Sequence, residues 1–139
     1  MSGATATWNS WRGWDLSREP NLTGADLRRV DLPRTDLSEA NLARAELSEA
    51  DLMSANLESA NLLRAILFRA DLMGADLSGA NLSGADLSGA DLAQAILVGA
   101  ILTGADLSTA SLTQQELEAA TVDENTPLPP DLNPLRTGE

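Results

Sequence analysis

Aspartate is the residue type in this sequence best placed to do chemistry in number, and part of it is regularly spaced. Asp31, Asp51, Asp71 and Asp91 recur every twenty residues. Carboxylates aligned in this way could hold a cation, shift one another's proton affinity for acid–base work, or present a polyanion to a partner. The rest of the catalytic repertoire is thin: nine Arg are present, but no Lys, His, Cys or Tyr. Imidazole, thiolate, amine and disulfide chemistry are therefore excluded by composition.

The charge balance narrows the partners. A formal net charge of −12 favours solubility and opposes nonspecific nucleic-acid binding, because phosphates would meet a like-signed surface. The distribution is lopsided. Every Arg except Arg136 lies at or before Arg69, whereas residues 70–135 hold ten acidic residues and no basic one. The opening MSGATATWNSW has no basic start followed by an apolar stretch, and no run approaches about 18 apolar residues. A single cytoplasmic domain without membrane contact is the expectation.

The scaffold that must position these carboxylates has a period of five. Leu recurs every fifth residue from Leu22 to Leu117, twenty repeats in all, and Ala stands two residues before it in sixteen of them. On an α-helix such Leu residues would spread around the whole cylinder, and on one continuous strand they would alternate faces. The chain must therefore turn once per repeat, keeping Leu and Ala inward. Leu52, Leu72, Leu92, Ala70 and Ala90 represent this core.

The residue before each Leu indicates how many repeats close a coil. Asn holds that place at 21, 41, 61 and 81, and Asp at 31, 51, 71 and 91, so four repeats per coil would stack each set as a column. Twenty repeats make about five coils, and stacked strands about 4.8 Å apart give a rod of roughly 24 Å. The fold expected is an all-β solenoid whose coils bury their Leu faces on one another and need caps at both ends.

The segment ADLSGANLSGADLSGADL (75–92) resembles the A(D/N)LXX motif of the pentapeptide-repeat family, and the likeness extends over about 20–119. The resemblance implies a right-handed quadrilateral parallel β-helix with Leu and Ala inward and the other three residues outward. Pro20, Val30 and Thr35 depart from the motif. Some members of that family resemble DNA in shape and charge, bind DNA gyrase and protect it from inhibitors. Here the numbers oppose that activity for a lone chain: residues 21–112 carry 13 acids against 6 Arg, whereas about 24 Å of duplex presents about 14 phosphates. Such mimics also use Phe at the central position, which Leu occupies here.

Residues 1–19 are expected to form an N-terminal cap, 20–119 the β-helix, 113–122 a capping helix and 123–139 a Pro-rich extended tail. The spacing of Trp8, Trp11 and Trp14 suits one face of a short helix, and WNSWRGWDLSREPNLTGADL is similar to an N-terminal cap seen before such repeats, which implies that these Trp lid the open core; an aromatic platform for a ligand or bases is the functional alternative. Thr113 and Glu116 fit a capping box. The ELEAA and DENTPLP segments are similar to endings that the resemblance assigns to capping.

The Asp column would hold carboxylates about 4.8 Å apart, at about 1 kcal/mol of repulsion per pair in water. Hydrogen bonds from turn N–H groups would offset that repulsion. A cation site remains possible, although the carbonyl-rich loop typical of calcium is absent. The Asn column is expected to form amide ladders between coils. A convex rod offers no pocket to shift carboxylate pKa values, so no enzyme and no cofactor are expected.

Apolar residues at outward positions mark the candidate surfaces. Leu63, Ile66 and Phe68 form one group and Ile96, Val98 and Ile101 another, while Met53 and Met73 would stack on a third face. The function expected is a rigid, non-enzymatic acidic surface presented to a protein partner or to a second copy. The gyrase-binding DNA mimic is the alternative.

Overall fold

The computed structural model describes residues 21–132. The expected N-terminal cap, with Trp8, Trp11 and Trp14, lies outside the described residues, as do residues 133–139.

The bridges between coils pair each position with the one twenty residues on, in parallel: Asn41↔Asn61↔Asn81, Glu46↔Ile66↔Asp86, Asp51↔Asp71↔Asp91 and Asn56↔Asp76↔Ile96. Four pentapeptides therefore make one turn of the coil. Each bridge stands alone, because the straight part of a repeat is only the few residues around Asx-Leu before the chain turns.

The repeat at 61–65 shows why five residues suffice, since every backbone N–H finds an acceptor. Asn61 donates back to the Ala40 carbonyl (2.9 Å), Leu62 forward to Asn81 (2.7 Å) and Arg64 forward to Ser83 (2.9 Å), while Ala65 closes the turn onto Leu62 (3.0 Å). The fifth donor, Leu63, turns to the side chain of its own repeat, Asn61 Oδ1, at 3.1 Å. That last bond explains the preference for Asn or Asp before each Leu: a short side-chain acceptor reaches the N–H two residues on.

The turn places its third residue in the left-handed region. Ten of these corner residues carry side chains, among them Arg44 (φ 58°), Glu49 (φ 60°), Arg64 (φ 55°) and Arg69 (φ 57°). Glycine takes over at 74, 79, 84, 89, 99 and 104. A non-glycine residue there costs about 1 kcal/mol or more, so the backbone of the Arg-bearing half is the more strained.

The core is a column of Leu and Ala. Leu52, Leu72, Leu92 and Ala90 are fully inaccessible and Ala70 is nearly so. Val30 is buried in the place of an Ala and Thr35 is half-buried, yet the ladder runs unbroken past both through Asp31↔Asp51 and Asp36↔Asn56.

At the C-terminal end, helix α1 spans Gln114–Glu118. It is shorter than the 113–122 expected, because Ala119 caps it and Thr121 rejoins the ladder beside Ile101. Thr113 accepts from the Glu116 N–H (3.1 Å), and Glu116 accepts in return from the Thr113 N–H (2.8 Å). The other Glu116 oxygen takes the Gln94 N–H at 2.7 Å, replacing the carbonyl that a further coil would supply. The following segment lies along the last coil: Leu102 donates to Thr121 (2.8 Å), Leu107 donates to Pro127 (2.9 Å), and the Thr126 hydroxyl donates to the Leu102 carbonyl (3.1 Å). Val122, Leu128 and Leu132 pack against the core from this side.

Candidate interaction surface

The Asp column is held by its own turns. Asp51, Asp71 and Asp91 each accept from the N–H two residues on, at 3.1, 3.1 and 3.0 Å. Asp31 is followed at that place by Pro33, which has no N–H to give. Among the described residues no group of three or more acidic side chains is arranged to hold a metal ion. Four other aspartates sit below their ordinary pKa of 3.8. The Arg28 guanidinium is the main cause for Asp26, and the hydroxyls of Ser38, Ser108 and Thr126 are the main causes for Asp36, Asp106 and Asp123.

The Asn column corrects an expectation. Only one inter-coil amide contact forms among the described residues, Asn61 Nδ2 to Asn41 Oδ1 at a long 3.5 Å. The Oδ1 atoms of Asn21, Asn41, Asn61 and Asn81 accept the local turn N–H instead, at 3.2, 3.2, 3.1 and 3.0 Å. An acceptor two residues away in sequence is in place as soon as the turn forms, whereas a ladder partner must arrive from another coil.

The first apolar group straddles a corner of the coil. Leu63 is half-buried before the turn at Arg64, and Ile66 and Phe68 follow it at 36% and 41% exposed. Carboxylates and hydroxyls border them in register, with Glu46 and Asp86 flanking Ile66 in the ladder. The Arg69 guanidinium lies 5.3 Å from the centroid of the Phe68 ring. Arg44 and Arg64 occupy equivalent corner positions on successive coils, with no ion pair to a described residue.

The second group, Ile96, Val98 and Ile101, is exposed at 45%, 63% and 39%. Asp76 neighbours Ile96 in the ladder, and Ile101 lies between Asn81 and Thr121. Of the methionines, Met73 is exposed and Met53 half-buried, on successive coils of a third face.

One property joins the two apolar groups. Ile66, Ile96 and Ile101 stand where Asn or Asp would cap the turn, and among the described residues the N–H groups of Phe68, Val98 and Thr103 find no acceptor. Ser48, following Glu46, is in the same position. Each lost bond forfeits about 0.5–1.5 kcal/mol. The spacing of these Ile residues is legible in the sequence, but its meaning depends on knowing that the fifth N–H of a repeat relies on Asx.

Comparison with known proteins places this architecture. The profile of pentapeptide repeats matches in eight copies, over residues 21–58, 45–84 and 75–114. No curated protein matches the chain significantly. Among solved structures, a pentapeptide repeat protein from Nostoc PCC 7120 is 25% identical, with 88% of this chain and 100% of that one covered and a TM-score of 0.56. One from the cyanobacterium Cyanothece 51142 is 33% identical over 81% of this chain and 94% of that one, with a TM-score of 0.44. One from the thylakoid lumen of Arabidopsis thaliana is 28% identical over 77% and 81%, again at 0.44. By its repeats, its twenty-residue ladder and the family profile that spans them, the chain belongs to the pentapeptide-repeat family.

Proposed function

We infer that this protein is a non-enzymatic interaction rod, right-handed, of about five coils and capped at both ends, which presents the Leu63–Ile66–Phe68 corner to a protein partner. The observation that carries this reading is the Ile at position 66. An Asn or Asp there would cap the turn and keep the surface polar, so Ile66 both gives up a hydrogen bond and exposes an apolar side chain. Beside it an aromatic ring stands within a polar rim, the pattern of a binding anchor. Chemistry of its own is not required for that role, and most of the aspartates serve local turns, Asp51, Asp71 and Asp91 among them.

The test is recovery of a partner from native cell extract by wild type and by the double variant Ile66→Asp/Phe68→Ser. Those replacements reproduce the pattern of Asp86 and Ser88 one coil further on, so the fold should survive. A partner held by wild type should bind the variant more weakly by at least about 2 kcal/mol, the size of a lost anchor. Equal retention by two folded proteins would remove this corner from consideration.

A further inference from the structure

The reading of the Leu63–Ile66–Phe68 corner as a contact surface can be carried further, because its charged rim specifies what fits it. Arg44, Arg64 and Arg69 have no carboxylate within ion-pair distance among the described residues, whereas Arg28 and Arg29 lie 2.7 Å from Asp26 and 3.1 Å from Glu49. The unbonded Phe68 N–H adds a donor to the same place. Glu46 and Asp86 flank Ile66 in the ladder, but the three guanidinium groups outnumber them, and apolar side chains beside guanidinium groups without an ion-pair partner fit apolar side chains beside carboxylates.

A surface of that description is present on the same chain. Ile96, Val98 and Ile101 are its apolar part. Asp76 borders Ile96 in the ladder, and Glu118 immediately precedes Ala119, whose carbonyl takes the Gly99 N–H beside Val98. No Arg occurs between residues 70 and 132 to neutralise it. The Arg-bearing half, residues 21–69, has eight acids against six Arg, so its net charge is −2, and residues 70–132 carry −10.

We propose that these two corners are the halves of one heterologous contact, the basic apolar corner of one copy seating the acidic apolar corner of the next. The halves are different surfaces, so a copy that has used one still offers the other, and association continues beyond a dimer. Six apolar side chains make a small interface, below the roughly 1,200 Å² at which contacts become stable, so the association is weak and rapidly exchanging. The overall negative charge opposes approach, but at about 0.1 M salt that repulsion is screened beyond about 10 Å while contact pairs persist.

The experiment is analytical ultracentrifugation of the purified chain at about 0.1 M salt, from about 10 µM to about 1 mM, the range that a contact of this size demands. The expected result is a mass that rises with concentration from 14.6 kDa past twice that value. Ile66→Asp/Phe68→Ser and Ile96→Asp/Val98→Ser, each restoring ordinary repeat residues and each verified as folded by circular dichroism, should be monomeric alone. Mixed one to one they should form a heterodimer and stop there, since each retains the half the other lacks. Arg44→Ser/Arg64→Ser, which uses a residue already present at this turn position in Ser54 and Ser59, should weaken wild-type association at least about tenfold. A wild-type chain that stays monomeric overturns the inference, and so does association that persists in the separate variants or fails to return on mixing. The reading of the corner as a site for another protein is tested separately in extract and survives a monomeric result here.

Discussion

The stem of Arg69 lies across Gly89 of the next coil, such that a Cβ built on Gly89 would meet Arg69 Cγ at 3.0 Å. Gly89 also has φ +69°, so two separable effects oppose any side chain there. Gly89→Ala should destabilise by about 1–2 kcal/mol from the left-handed backbone, with a further increment from the contact. In an Arg69→Ala background the increment should disappear and the backbone part remain. Urea unfolding of the four proteins of this cycle measures both.

Leu72 is fully buried between coils. Leu72→Ala should cost about 2–5 kcal/mol, and Leu72→Asp, which buries an unpaired charge, should unfold the middle of the rod. Thermal melting followed by circular dichroism distinguishes them. A Leu72→Asp protein that melts like wild type would contradict the inward placement of Leu.

Ile66→Asn should stabilise the protein by about 0.5–1.5 kcal/mol, because the amide oxygen can accept the Phe68 N–H. Asp should stabilise less, since Glu46 and Asp86 flank the site in the ladder. Chemical denaturation of the two variants gives the order. If Ile66→Asn is less stable than wild type, the turn bond is not the dominant local term.

Acid should weaken the rod through specific aspartates. Asp36, Asp106 and Asp123 have pKa values below the ordinary 3.8, chiefly through the hydroxyls of Ser38, Ser108 and Thr126. A carboxyl with a depressed folded-state pKa contributes stability that is fully present above its unfolded value and is lost as pH falls through the folded value. Its contribution is therefore constant above about pH 5 and declines below about pH 4. Relief of net negative charge acts in the opposite sense, so the comparison is with a variant in which all three are Asn. The melting temperature of wild type should fall more steeply with acid than that of the variant, and parallel profiles would refute the assignment.

The chain alone should leave DNA gyrase supercoiling unchanged at low micromolar concentration, because 13 acids against 6 Arg over residues 21–112 fall short of the roughly 14 phosphates on a matching length of duplex. Inhibition, or protection from a quinolone, would favour DNA mimicry over the interaction rod.

Much of this architecture is legible in the sequence because one physical requirement, an inward Leu and Ala in every repeat, is imposed twenty times. The columns of Asn and Asp reveal the twenty-residue turn for the same reason. Other features depend on competition that spacing does not display. The Asn amides cap local turns instead of forming a full ladder, and the helix after Thr113 stops at Glu118 because Thr121 pairs with Ile101. The candidate surfaces lie between these cases: the positions of Ile66, Ile96 and Ile101 are plain, but the donors they leave exposed emerge only when every N–H is followed to its acceptor.

The twenty-residue bridging register gives the chain an arithmetic of insertion and deletion. Adding or removing twenty residues within the repeats lengthens or shortens the rod by one strand spacing, about 4.8 Å, and leaves every downstream residue on its original face. Adding or removing five keeps the Leu core intact but moves everything beyond the change by a quarter turn. A five-residue deletion between Phe68 and Ile96 would thus yield a well-folded rod whose two apolar corners have changed their relative direction. Rods built this way can separate the identity of a surface from its orientation, which substitutions at the surface cannot do.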